Sequence, residues 1–294
     1  MINICEVGPR DGLQNEKKLI SLETKVEMIN RLVEAGAKKI EAVSFVNPKV
    51  VPQMANAEEL MKLVPKTEGV SYAGLVLNYA GLQRALGTEV DALHIVTSTS
   101  DEFNLKNAKK TVNQSVSELI TVIEEGKQSN RSINGILGTA FGCPFAGEVP
   151  LERVLQVAEQ FVQAGATEIT LADTTGMANP KQIKQTVERF KKYFSDDITL
   201  GLHLHNTRGL GVANAFAGYE AGIRNFDSSI AGLGGCPFAP EAVGNVCTED
   251  LVNMFEKIGV DTSLNITLLI ETSRWLEEQI GRKLDGMVMK LKNL

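Results

Sequence analysis

The sequence predicts an α/β fold, a (β/α)8 TIM barrel with additional C-terminal helices. Three observations predict it. Eight short apolar runs alternate with longer amphipathic segments, one helix-to-strand joint recurs along the chain, and the whole pattern fits the roughly 250 residues such a barrel needs.

The runs, read as strands, lie near 2–7, 39–43, 70–77, 91–97, 132–140, 167–172, 198–204 and 225–230. Between the first two, Ser21 can cap a helix whose Leu22, Val26, Ile29, Leu32 and Val33 form one apolar stripe, and Gly36 can end it with a left-handed residue. The joint Ala35-Gly36-Ala37 before Ile40 recurs as Ala164-Gly165-Ala166 before Ile169 and Ala221-Gly222-Ile223 before Phe226, which points to repeated units. An open doubly wound sheet fits less well. Gly209-Leu210-Gly211 is followed by Asn214 where a dinucleotide fingerprint needs its third glycine, no phosphate-loop Lys-Ser/Thr pattern exists, and the Gly-x-Gly reads as a helix start. After the eighth unit, about 261–294 form a helical extension, with Leu264, Leu268, Leu269, Trp275 and Leu276 able to pack on the barrel or on a partner chain. With no low-complexity tract or Pro/Ser-rich linker, residues 1–294 are expected to form a single catalytic domain, the barrel occupying about 1–260.

Composition excludes several functions. A net charge of −6 leaves no broad basic surface for nucleic acid or anionic membrane, so neither is an expected partner, and an anionic ligand needs a local basic pocket. Cys5, Cys143, Cys236 and Cys247 are widely spaced without a Cys-x-x-Cys pair, which argues against a disulfide framework or a sulfur-rich zinc site and for a reducing, cytoplasmic setting. No apolar run is long enough for a membrane helix, and Glu6, Arg10 and Asp11 come too early for a signal-peptide core.

In a barrel of this kind chemistry gathers at the C-terminal strand ends. Arg10 and Asp11 follow the first strand, Glu41 lies in the second, Asp173 follows the sixth, His203 and His205 end the seventh, and Cys236 and Asn245 follow the eighth. His203-Leu204-His205 is the most specific feature, because alternate strand residues point the same way and would carry two imidazoles into the mouth. His94, inside the fourth strand, reads as a core residue. Strand eight closes onto strand one, so Asp11 and Asn245 can join the imidazoles in a nitrogen/oxygen shell suited to Mg²⁺ or Mn²⁺, with zinc or cobalt left open. The loop from Ala231 to Pro237 combines three glycines with Cys236 and can swing that thiol over the mouth.

These residues resemble the 3-hydroxy-3-methylglutaryl-CoA (HMG-CoA) lyases, within the metal-dependent barrels that include isopropylmalate and homocitrate synthases. The resemblance runs along nearly the whole chain and rests on Glu6-Val7-Gly8-Pro9-Arg10-Asp11-Gly12-Leu13-Gln14-Asn15-Glu16, on Ser44-Phe45-Val46-Asn47-Pro48-Lys49 with Val51-Pro52-Gln53-Met54, and on Ala231 through Phe238 with Gly244-Asn245. It implies metal ligation by Asp11, His203, His205 and Asn245, and catalytic roles for Arg10, Asp11, His203, Glu41 and the Cys236 thiol. It also implies substrate contacts from Gln14, Ser44, Asp173 and Thr174. Asn206, where the lyases usually carry Asp, followed by Thr207-Arg208-Gly209, is the departure and looks like the synthase branch. The Gly-Gly-Cys-Pro loop and the lack of room for a regulatory domain favour the lyase.

The implied activity is retro-Claisen cleavage of HMG-CoA to acetoacetate and acetyl-CoA, in leucine degradation, by a homodimer. A base at the metal site, Asp11 or His203, would take the hydroxyl proton, Arg10 would stabilise the thioester enolate, and Cys236 would protonate it. Lys49, Lys106, Lys109 and Lys110 are candidates for the CoA phosphates. The alternatives are a condensing synthase joining acetyl-CoA to a 2-oxo acid, or a non-catalytic acyl-CoA-binding barrel.

Overall fold

Eight parallel strands close into the expected barrel, each beginning and ending within three residues of its predicted place. They are β1 (Asn3–Glu6), β2 (Lys39–Ser44), β3 (Ser71–Val76), β4 (Ala92–Ser98), β5 (Ser132–Gly138), β6 (Glu168–Asp173), β7 (Thr199–Leu204) and β8 (Asn225–Ser228), paired in chain order. The ring closes where β1 meets β8, from Asn3 opposite Asn225 to Glu6 opposite Ser228. The computed structural model describes residues 1–194, 197–236 and 239–292, with the backbone alone for 236 and 239–242.

The strands are buried on both faces, as parallel strands under a jacket of helices must be. That jacket is α1 (Leu22–Glu34), α2 (Ala57–Leu63), α3 (Tyr79–Leu86), α4 (Asp101–Ala108), α5 (Val112–Gln128), α6 (Leu151–Ala164), α7 (Pro180–Tyr193), α8 (Gly211–Glu220) and α9 (Thr248–Lys257). Local chemistry sets their ends. Ser21 Oγ accepts the N–H of Thr24 at 3.2 Å to start α1, and Thr111 with Gln114 forms a reciprocal capping box on α5. The recurring glycine joint is a single device, because Gly36, Gly165 and Gly222 all hold positive φ (100°, 124° and 102°) and turn the chain from helix into the next strand. Gly211 opens α8, as the Gly-x-Gly reading expected.

Beyond the barrel, α10 (Ile266–Ile280) packs on α1 and α9. Its Leu269 and Leu276 are fully buried there, while Trp275 is half-buried with the Arg31 guanidinium 4.8 Å above its ring. The extension therefore packs on the barrel. A two-stranded hairpin, β9 (Gly235–Cys236) with β10 (Ala239–Val243), rises after β8. No described helix is long and apolar enough to cross a membrane.

Candidate metal centre and active site

The first site segment is built by an unusual turn. After β1, residues Gly8–Gly12 form one π-helical turn in which the N–H groups of Arg10, Asp11 and Gly12 all aim at Val7 O, at 3.1, 2.7 and 3.2 Å. Such single wide turns re-aim side chains at functional places. Here Arg10 and Asp11 both come to line the barrel mouth. Glu6 anchors the turn from below, accepting from the N–H groups of Gly8 (2.8 Å) and Ile230 (2.9 Å) and from Thr248 Oγ1 (2.6 Å). Burial pushes the Glu6 carboxyl up to about 7 despite these donors.

The second segment comes from β7 and β8. His203 and His205 do project together, with their Nε2 atoms 3.2 Å apart. The register pairs His203 with Asp227, and His203 Nδ1 donates to Asp227 Oδ2 at 3.1 Å, which orients the ring so that Nε2 faces the mouth. Asp11 Oδ2 lies 3.9 Å from His203 Nε2. Asn245, bridged to His205, donates from Nδ2 to Asp11 Oδ2 (2.7 Å) and to Leu233 O (3.1 Å).

This donor set fits a cation. Ligand atoms of Asp11, His203 and His205 lie within 4.8 Å of one another, and the two imidazoles approach through their Nε2 atoms. Two adjacent nitrogens about 2.1 Å from an octahedral ion stand roughly 3.0 Å apart, close to the 3.2 Å seen between the imidazoles. Burial and the neighbouring His203 charge push His205 down to about 3, so it presents a neutral ring with a free lone pair. Burial opposes the charge of Asp11, but Arg10, His203 and His205 outweigh it and hold the carboxylate well below its usual range.

Beside this cluster Arg10 is clamped twice, by Nε to Glu41 Oε2 (2.5 Å) and by Nη1 to Asp11 Oδ1 (2.7 Å). Burial penalises the Glu41 carboxylate, yet Arg10 and His94 more than compensate and keep it ionised. Burial likewise disfavours charge on His203 and His94, while Asp227 and Glu41, respectively, raise both above the ordinary imidazole range.

The mouth opens into a cavity of about 500 Å³. Arg10, Asp11, His203 and His205 line one side of it, and Leu75, Val96, Ile136 and Ala172 line the walls of β3 to β6. Of the expected substrate contacts, Gln14 and Thr174 border this cavity, and Thr174 Oγ1 also accepts the N–H of Thr139 at 2.9 Å. Ser44 and Asp173 do not border it. Ser44 Oγ is fully buried, and Asp173, pushed up to about 6 by burial, accepts the N–H groups of Met177 (2.7 Å) and Ala178 (3.1 Å) and so shapes the loop after β6. The cavity-lining Gly235 immediately precedes Cys236 on β9, and the Cys236 side chain lies outside the described residues.

Among the lysines, Lys110 lines the cavity and pairs with Glu118 at 2.5 Å. Lys106 Nζ sits 3.7 Å over the Phe145 ring, Lys109 Nζ donates to Lys106 O at 3.2 Å, and Lys49 is exposed on the turn after β2. Asn206, the departure in the sequence, accepts the N–H of Gly211 at 2.9 Å and stands at the start of α8. Sequence reasoning missed Asp227. It lies inside a predicted strand, and only the strand register reveals which histidine it serves.

Comparison with known proteins gives one picture. The HMGL-like family model matches residues 1–276. The (R)-citramalyl-CoA lyase of Chloroflexus aurantiacus is 42% identical over 98% of this chain and 94% of its own length. The hydroxymethylglutaryl-CoA lyase of Bacillus subtilis is 38% identical over 96% of this chain and 94% of its own length. Among solved structures, an HMG-CoA lyase from Acinetobacter baumannii in complex with coenzyme A and 3-methylmalate superposes with a TM-score of 0.95 at 41% identity, covering 100% of this chain and 97% of that one.

Proposed function

Since the chain belongs to the HMGL-like family, we propose that it is a divalent-metal-dependent carbon–carbon lyase, one catalytic unit that cleaves HMG-CoA to acetoacetate and acetyl-CoA. The observation that carries the reading is the convergence of His203 Nε2, His205 Nε2 and the Asp11 carboxylate at the barrel mouth, next to a doubly clamped Arg10. Asp11, His203 and His205 would hold Mg²⁺ or Mn²⁺, with Asn245 the fourth ligand in this reading. When bound, the ion supplies Lewis acidity that lowers the pKa of the substrate hydroxyl.

The remaining work falls to the chain. The C3 hydroxyl proton passes to the Asp11 carboxylate, because His203 donates from Nδ1 to Asp227 and would give its Nε2 lone pair to the ion. The C2–C3 bond breaks, and its electron pair becomes the enolate of acetyl-CoA. Arg10, its Nε and Nη1 already held, offers its remaining N–H groups to the thioester oxygen as negative charge develops there. Cys236 then gives its proton to the enolate carbon; the support is its place on β9 beside cavity-lining Gly235 and the family resemblance. Gln14 and Thr174, from the cavity wall, contact the acyl group. Ser44, Glu41 and Asp173 act from behind the wall. The wider expectations of a cytoplasmic homodimer serving leucine degradation go with this reading on family resemblance alone.

A second reading has a specific observation behind it, the 42% identity to an (R)-citramalyl-CoA lyase. That thioester has the same tertiary alcohol and methyl group with one methylene fewer before the carboxylate, so the machinery carries over and the keto product becomes pyruvate. The condensing alternative is not favoured, because the similar proteins described above are lyases. The test offers each thioester to metal-depleted protein reloaded with Mg²⁺ or Mn²⁺ and measures acetyl-CoA, acetoacetate and pyruvate. Acetoacetate release supports the first reading, pyruvate without acetoacetate moves the assignment to the second, and no cleavage of either overturns both.

A further inference from the structure

Two cavities lie on opposite sides of the barrel floor, and one side chain stands between them. The mouth cavity is bordered by Arg10. The lower one, about 220 Å³, is bordered by Cys5, Lys39, His94, Asn134 and Glu168 from the opposite half of the strands. Glu41 is 0% exposed and borders neither. Its Oε2 accepts from Arg10 Nε at 2.5 Å, and its Oε1 accepts from His94 Nδ1 at 2.8 Å.

We propose that His94 is a positioning residue for the reaction: from beneath the floor its Nδ1–H fixes Glu41, and Glu41 in turn fixes the Arg10 guanidinium beside the substrate. The assignment rests on the reading of Arg10 as the group that stabilises developing charge. His94 does not border the mouth cavity and acts only through Glu41. An imidazole only 5% exposed on a buried strand costs desolvation that an aliphatic side chain would not, and its hydrogen bond to Glu41 helps offset that cost. A long arginine keeps one geometry only if its partners keep theirs. Without the His94 donor, Glu41 Oε1 is a buried carboxylate oxygen lacking its partner, and the carboxylate can rotate away from Nε.

The test compares His94→Val with His94→Asn in Mg²⁺-loaded protein, because the asparagine amide nitrogen takes the place of Nδ1 as a neutral donor and valine offers none. His94→Val is expected to lower kcat about 10- to 100-fold, the effect of one hydrogen bond to a charged group, with KM within about twofold. His94→Asn is expected to recover most of that loss. A second readout needs no substrate: the Arg10 Nε–H signal in ¹⁵N-labelled protein, assigned by its disappearance in Arg10→Lys, should stay protected from exchange in the parent and His94→Asn and lose protection in His94→Val.

A His94→Val protein with parental kcat and a protected signal overturns the proposal. So does a His94→Asn protein as impaired as His94→Val with the same drop in melting temperature, which is the mark of a merely structural residue. If the parent cleaves neither thioester but the signal responds as expected, the clamp stands and the reaction assigned above falls. If cleavage occurs and the signal ignores residue 94, the clamp alone falls.

Discussion

Asp227 does not border the mouth cavity, yet replacing it with asparagine should weaken metal binding. Its Oδ2 receives His203 Nδ1–H at 3.1 Å, between side chains only 7% and 10% exposed, so solvent screens the pair little. Asparagine can still accept that hydrogen bond and preserve the tautomer, but the negative charge that makes Nε2 a better donor to a cation is gone. Loss of such a partner behind a metal-ligating histidine typically costs roughly 10- to 100-fold in metal affinity. A charge-assisted bond of this kind is usually about 2.7–2.9 Å long, so the longer contact here points to the lower part of that range, about 10- to 30-fold. Titrating metal-free protein with Mn²⁺, by calorimetry or by the spin-resonance signal of the free ion, reads the change directly. Saturating metal should then restore most of the turnover. An affinity within about twofold of the parent's would refute the reasoning, because Asp227 would then be a packing partner only.

Further outcomes follow from the same geometry. Arg10→Met should lower kcat by roughly 10²–10³ while KM changes far less, as steady-state kinetics on the cleaved thioester will show. Glu6, held up to about 7 against 4.5 in the unfolded chain, takes up a proton on folding between those values, so its contribution is complete below pH 4.5 and is lost as pH rises through 7. Urea unfolding at pH 5 and pH 8 should therefore show the parent losing about 1–3 kcal/mol more than Glu6→Gln, whose amide mimics the protonated acid. Gly244→Ala should disturb the β9–β10 hairpin, because a Cβ there would fall 1.4 Å from Gly234 O. The expected result is reduced turnover with metal affinity changed less than in Asp227→Asn, measured by the same titration.

The fold was legible because its signals are local. Apolar runs, helix caps and the three glycine joints each speak within a few residues, and all eight strands emerged from them. The pair His203 and His205 was legible for the same reason, since alternation along a strand puts both on one side. What stayed hidden depends on register between strands distant in sequence. Asp227 meets His203 only because β7 and β8 align Gly201 with Asn225, and a slip of one residue would turn it to the other face. His94 read as a core residue because its partner Glu41 belongs to a strand that is not its neighbour in the sheet. The π-helical turn that aims Arg10 and Asp11 had no sequence signal beyond its glycines and proline.

The seam where the first strand meets the last has a consequence for how the protein is made. Asp11 and Asn245, joined across 234 residues, come together only when the ring is complete, and His203 and His205 leave the ribosome late as well. A half-assembled chain thus lacks the complete ligand set proposed above for the ion. On that reading metal would favour the finished barrel over earlier species, drawing the population toward it by mass action.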